Sequence, residues 1–304
     1  MTTPGILLVD KPQGITSHDV VARARRALGT RRVGHAGTLD PMATGLLVLG
    51  VERSTKLLTY LVGLGKTYTA TIRLGQSTTT DDAEGETTAT ADASSVAAVT
   101  DDAIARGIAR LTGEIDQVPS TVSAIKVQGR RAYDLARAGE DVTLAARTVT
   151  ISRFDVLDTR RHEAHIELDV VVDCSSGTYI RALARDLGAD VGVGGHLSAL
   201  RRTRIGDFDV ADAVMVDDVD ASALRDEAVI ASAVLGRIDV TADDALRLWQ
   251  GKRLEGQAGR LPSPDARAAA IDDAGRLVGV VERRGDDLRS VMNMPAPVEA
   301  GGTR

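Results

Sequence analysis

Gly34-His35-Ala36-Gly37-Thr38-Leu39-Asp40-Pro41-Met42-Ala43-Thr44-Gly45 is the stretch on which the reading of this chain turns. Three glycines and one proline in twelve residues suit no regular element, so a long irregular loop is predicted here. Asp40 stands near its centre, between Leu39 and Pro41. Loops carried on a rigid scaffold often hold functional side chains. Asp-Pro is also an ordinary turn pair, and the loop taken alone leaves both readings open.

Outward from the loop the pattern becomes regular. Ile6-Leu7-Leu8-Val9 and Leu46-Leu47-Val48-Leu49 are short apolar runs that read as buried strands. Between them, Thr16-Ser17-His18-Asp19 offers N-cap residues for a helix through Leu28. Its apolar face is Val20, Val21, Ala24, Ala27 and Leu28, which turns Arg23, Arg25 and Arg26 outward, with Arg31 and Arg32 following. Ser54–Leu61 reads as a short helix. Lys66–Leu74 alternates as a half-buried strand with Tyr68, Ala70, Ile72 and Leu74 inward. Residues 75–100 are rich in Thr, Ala, Asp and Ser and predict an exposed acidic loop or hairpin tip. Helices are expected at 101–111 and 178–187, and strands at 123–127, 148–156, 164–172 and 197–208. A basic helix is expected to start at Arg130-Arg131, and 209–239 to be a helical connector. From Val240 onward a helix at 243–250 and short strands at 268–271, 277–281 and 290–294 predict a small β-rich domain.

Composition bounds the function. Hydrophobic residues are 43% and charged residues 26% of 304, which fits a folded chain and excludes wholesale disorder. Two Phe, one Trp and four Tyr leave the core to aliphatic residues. The single Cys174 excludes an intramolecular disulfide and fits a reducing compartment, so a cytoplasmic location is expected. No apolar run spans a membrane, and Met1-Thr2-Thr3-Pro4 does not begin a signal peptide. The net charge of −6 argues against a nucleic-acid partner, but residues 1–66 carry nine basic and four acidic residues. Screening over about 8 Å lets such a patch bind phosphate despite a remote acidic excess. The five histidines lack metal-ligating spacing, and neither a nucleophile elbow nor a phosphate or dinucleotide loop is found.

Five ordered motifs carry a resemblance. The loop at 34–45 resembles the signature of bacterial TruB-type tRNA pseudouridine-55 synthases. Asp10-Lys11-Pro12-Gln13-Gly14, Lys66-Thr67-Tyr68, Gln117-Val118-Pro119-Ser120 with Ser123-Ala124-Ile125-Lys126, and Cys174-Ser175-Ser176-Gly177-Thr178-Tyr179-Ile180-Arg181 resemble its other motifs, across about residues 5–206. Val122 departs from the aromatic residue more usual in the family, and the acidic stretch at 75–100 is not explained by the likeness.

The resemblance implies an α/β (α+β) pseudouridine synthase fold, a mostly antiparallel mixed sheet flanked by helices. It places the catalytic domain at 1–238 and a small PUA-like domain at 239–304. It implies isomerisation of uridine 55 in the tRNA T-loop to pseudouridine after base flipping, with no cofactor and no metal. Asp40 matches the family's catalytic aspartate, Arg181 the arginine that pairs with it, and Tyr68 the active-site tyrosine. His35 matches a residue placed against the opened T-loop. Lys11 is expected at the RNA phosphates or in a structural role, and Tyr179, Arg31, Arg32, Arg130, Arg201 and Arg202 are expected at the RNA, with Arg23, Arg26 and Arg131 as further backbone contacts. The partner is the T-arm of tRNA, with no membrane, and a monomer is expected. Two rivals remain: a tRNA-binding and refolding protein with secondary catalysis, and a carboxylate glycosidase. The second needs paired acids about 5–10 Å apart, and the loop supplies only Asp40.

Overall fold

The computed structural model describes residues 3–120, 126–127, 130–131 and 144–297. The first third contributes β1 (Gly5–Lys11), β2 (Val33–Ala36), β3 (Thr44–Val51) and β4 (Lys66–Leu74). A side hairpin, β5 (Gln76–Thr78) with β6 (Thr87–Thr90), follows, then β7 (Gly113–Gln117). β8 (Lys126–Val127) and β9 (Arg130–Arg131) pair with each other. β10 (Arg147–Arg161) and β11 (Ile166–Cys174) are long antiparallel arms, and β12 (Gly195–Ile205) runs on to short β13 (Phe208–Asp209) and β14 (Val214–Met215). The main sheet has the order β14-β1-β3-β12-β4-β11-β10-β7, with β2 beside β3 and β13 beside β12. Its pairs are antiparallel except β1 with β14 and β3 with β12. This is the mostly antiparallel mixed sheet expected from the sequence.

Period-two patterning drives the centre. In β4, Tyr68, Ala70, Ile72 and Leu74 are buried while Thr67, Thr69, Thr71 and Arg73 are half-exposed. The buried set packs under the helix Ile180–Asp190, whose Ile180, Leu183, Ala184 and Leu187 complete one core cluster. The helix Ser17–Ala27 covers the other end. Its start is a capping box in which Asp19 N–H donates to Thr16 Oγ1 at 3.1 Å and Thr16 N–H donates to Asp19 Oδ2 at 2.8 Å.

The C-terminal segment forms a second sheet, β15 (Arg237–Asp239), β16 (Arg267–Ile271), β17 (Leu277–Arg284) and β18 (Asp287–Asn293), in that order. It is not a loose appendage. Ala269, Ile271, Leu277 and Met294 share a core cluster with Ile6, Leu8, Leu46 and Val48 of the main sheet. No helix among the described residues is long and apolar enough to cross a membrane.

Four expectations need correction. The loop at 34–45 is shorter than its composition implies, because Val33–Ala36 pairs with β3, His35 opposite Leu49. Gly34 and Gly50 face each other there not as turn residues but to admit Leu58: a Cβ on Gly34 would meet Leu58 Cδ1 at 3.1 Å. Residues 75–100 contain the expected hairpin, β5 with β6, but add a helix at Ala93–Ala98, and Asp82 at the tip is buried rather than exposed. Arg130-Arg131 is a strand, not a helix start. Its partner is Lys126–Val127, with Val127 opposite Arg130 in an antiparallel pair. The connector at 209–239 is broken into three single-turn 3₁₀ helices and one α-helix, Glu227–Leu235, among short strands. Asp209, Asp220 and Asp226 each accept a backbone N–H two residues on, at 2.9, 2.8 and 2.7 Å, so these acids start turns rather than decorate a long helix.

One crossing positions everything that follows. Gly45 opposes Arg202 in the parallel β3–β12 pair, at φ +102°. A Cβ there would stand 2.2 Å from the Arg202 carbonyl oxygen. Gly45→Ala is therefore expected to cost more than about 3 kcal/mol, combining a forbidden φ with a backbone clash. The urea midpoint should fall with an unchanged denaturant slope.

Candidate active site

The loop between β2 and β3 is pegged on both sides of Asp40. Leu39, Met42 and Ala43 are buried. Ser17 Oγ donates to the Leu39 carbonyl at 3.0 Å and accepts from Leu39 N–H at 2.8 Å. Gly14 N–H donates to the Pro41 carbonyl at 2.8 Å. Lys11 Nζ donates to the carbonyls of Ile15, Pro12 and Pro41 at 2.7, 3.0 and 3.3 Å. Three N–H groups meet three carbonyls, so this ammonium is fully used. Burial lowers its pKa to about 8. Lys11 thus braces the loop from within, the structural one of its two expected roles; wholly buried, it offers no phosphate contact.

Arg181 enters from the first turn of the helix Ile180–Asp190, and Gln117 sets where that helix begins. The Gln117 side chain accepts from Tyr179 N–H at 2.8 Å and donates to the Tyr179 carbonyl at 3.0 Å. Arg181 Nε lies 3.1 Å from Asp40 Oδ2. Its Nη1 lies 3.2 Å from Asp82 Oδ2 and donates to the Thr80 carbonyl at 2.7 Å. Arg181 and Asp82 are each 4% exposed, whereas 38% of the Asp40 side chain is open to the cleft.

Asp82 is the residue that sequence reasoning missed. The acidic excess around it suggests a solvated tip, but Asp81 adopts φ +59° and turns the chain inward. Leu197 N–H then donates to the Asp81 carbonyl at 3.0 Å, and Arg185 pairs with the Asp81 carboxylate at 3.3 Å. The available signal was Thr78 to Gly85, a run of turn formers between two hairpin strands.

Asp40, Tyr68 and Arg181 line one cavity of about 380 Å³, with Lys66, Leu200 and Arg202 at its back and Val62 and Tyr179 at its rim. Lys66 Nζ donates to the carbonyls of Val62 and Leu64 at 3.0 and 2.7 Å, which fixes the rim turn. Burial raises the Tyr68 phenol above its ordinary value, so it stays protonated. Burial also pushes the Asp40 carboxyl above the ordinary 3.8, with Asp82 adding to the rise and Arg181 opposing it. Removing the Asp82 charge should therefore lower the Asp40 pKa. An NMR titration of the Asp40 carboxyl in Asp82→Asn should show its midpoint moved to lower pH, and a rise would contradict this charge balance.

The other expected residues scatter. His35 lies on β2, outside the cavity lining, edge-on to His18 with ring centroids 5.5 Å apart. Its Nδ1 is buried with no hydrogen-bond partner among the described residues, and burial holds its pKa below the ordinary imidazole value. Arg202 is 1% exposed and donates to the Leu46 and Gly37 carbonyls at 2.7 and 3.1 Å. Buried under the cavity, it braces the loop and does not offer the surface contact expected. Arg201 is part-exposed and grips Asp10 with two contacts, 2.6 and 3.0 Å. Arg26, Arg31 and Arg32 are exposed, and Arg23 pairs with Asp217 at 3.0 Å. The side chains of Arg130 and Arg131, together with residues 121–125, lie outside the described residues.

Comparison with known proteins follows the same lines. Residues 25–180 match the family model described as TruB family pseudouridylate synthase (N terminal domain), and 181–245 match tRNA pseudouridylate synthase B C-terminal domain. The tRNA pseudouridine synthase B of Leifsonia xyli subsp. xyli is 56% identical over 97% of this chain and 98% of that one. The protein of the same name from Mycobacterium tuberculosis is 51% identical over 99% of each. Among solved structures, an archaeal box H/ACA Nop10-Cbf5 complex superposes with a TM-score of 0.68 at 23% identity, over 96% of this chain and 86% of that chain. An H/ACA RNP bound to a substrate RNA containing 2′-deoxyuridine also gives 0.68, at 22% identity. These two likenesses concern the fold.

Proposed function

The chain belongs to the TruB family of pseudouridylate synthases, and from this premise we propose that it isomerises uridine 55 in the T-loop of tRNA to pseudouridine. Named relatives at 51–56% identity over nearly the whole chain support tRNA as the substrate. The observation that carries the chemical reading is the cavity holding Asp40 against Arg181 and Tyr68. In this reading residues 1–238 do the chemistry and 239–304 form the PUA-like domain.

The reaction breaks C1′–N1, turns the uracil and joins C1′ to C5. The C5 proton is lost and N1 regains one, so no external reagent is consumed. Asp40 is the nucleophile, toward C1′ or C6, and Arg181 aims its carboxylate. Tyr68, buried and protonated, stacks on the flipped base, which must leave the T-loop at a cost of a few kcal/mol. Exposed arginines, Arg26, Arg31 and Arg32, meet phosphates, and Arg201 joins them by releasing Asp10.

Unmodified tRNA transcript carrying tritium at uridine C5 tests this directly. Purified protein should release one equivalent of tritium to water, and a transcript with cytidine at position 55 should release none. Release from the altered transcript would overturn the site assignment. Binding should weaken steeply with salt, about tenfold or more between 50 and 200 mM for several phosphate contacts. A flat response would remove the basic-surface argument.

A further inference from the structure

The hairpin joining β10 to β11 ends in His162-Glu163-Ala164-His165, closed by His162 N–H donating to the His165 carbonyl at 2.9 Å. The two imidazole rings stack 4.3 Å apart at 16°. Glu167, two residues along β11, reaches both. Its Oε2 lies 3.8 Å from His162 Nε2 and its Oε1 lies 3.6 Å from His165 Nε2. The three groups present ligand atoms all within 4.8 Å of one another. Tetrahedral zinc with bonds of about 2.0–2.1 Å sets its ligands roughly 3.4 Å apart, so small side-chain shifts close this set around one ion.

We propose that His162, His165 and Glu167 bind one divalent cation of the zinc class, with water completing four-coordination. Two imidazoles and a carboxylate favour zinc over magnesium or calcium, which prefer oxygen. The site lies far from the chemistry. Glu167 pairs with Arg73 in β4 and Val172 with Tyr68, so five residues, roughly 16 Å, separate it from the cavity. A bound ion would therefore clamp the hairpin tip rather than act on substrate.

The neighbouring charges decide whether the site is usable. Arg160 Nε stands 3.3 Å from Glu167, but Asp158 and Asp169 already hold that guanidinium. Glu167 is thus the acid that can turn to a metal. Arg73 opposes binding: its Nη2 sits 3.5 Å from His165 Nδ1, which carries the proton once Nε2 takes the metal. The three ligands stand within six positions, and the hairpin turn brings their ligand atoms together.

The test uses the full metal-free chain. Zn²⁺ is titrated against a chromophoric chelator, and Co²⁺ is followed by the visible absorption that marks four-coordination. One equivalent should bind. His162→Ala, His165→Ala and Glu167→Gln should each weaken binding at least about tenfold, with melting of the metal-free proteins unchanged. Arg73→Gln should instead tighten it, since an amide oxygen accepts from Nδ1–H. Absence of stoichiometric binding, binding untouched by the His162 and His165 substitutions, or dependence on His18 and His35 would each overturn the proposal.

Discussion

Asp40→Asn is expected to abolish tritium release, by at least about a thousandfold, while tRNA binding and the fold persist. In the proposed mechanism Asp40 is the nucleophile, and its loss costs on this scale because no remaining group replaces it. The amide is nearly isosteric, and the pegs around the loop, Leu39, Met42 and Ala43, do not involve the carboxylate. The same variant should also be more stable at neutral pH. Two carboxylates share one guanidinium, and Asp82 alone suffices to neutralise Arg181. Asp40 has a folded pKa raised above its ordinary value. It binds its proton more tightly folded than unfolded, so its ionisation destabilises the native state once pH exceeds those values. Removing the charge removes that cost, and the thermal midpoint of Asp40→Asn at pH 7 should exceed that of the parent. The difference should vanish at a pH below both pKa values. A variant that still modifies tRNA would refute Asp40 as nucleophile, and one that melts lower would refute the charge balance.

Much of this site was legible in the sequence, for definite reasons. β4 announced itself through strict alternation, and alternation places Tyr68 inward whatever its partners. Asp40 and Arg181 are 141 positions apart, and no local pattern joins them; their match to family motifs did. Local composition misled wherever the tertiary setting reversed its meaning. Gly34 indicated a loop but serves close packing beneath Leu58. Acids at 81 and 82 indicated solvent but turn inward to Arg185 and Arg181. The family likeness puts Lys11 and Arg202 within reach of RNA, with a structural role as the alternative for Lys11. Each is buried with carbonyl oxygens as partners, a satisfaction that only the folded backbone supplies.

Arg181→Lys separates charge from geometry. The substitution keeps the cation but exchanges a planar fork for a point charge on a flexible stem. In the parent, Nε faces Asp40 while Nη1 serves both Asp82 and the Thr80 carbonyl. A lysine ammonium has three donors but one position, and it cannot stand at 3 Å from all three acceptors at the separations the fork spans. Asp82 and the Thr80 carbonyl are the more buried partners, so the ammonium should settle there and leave Asp40 without its aim. The turnover rate should fall at least about a hundredfold, the penalty for losing a charge-assisted contact that orients the reacting group. KM for tRNA should change little, because phosphate contacts lie elsewhere. The acid limb of the rate profile should move to higher pH, since Arg181 is the main influence lowering the Asp40 pKa against burial. Stability should drop by about 1–3 kcal/mol, as buried acceptors lose their partner. A rate loss with an unmoved acid limb would mean that the arginine acts on the fold alone. A shifted limb with a preserved melting point would place its effect in the aim and charge of Asp40.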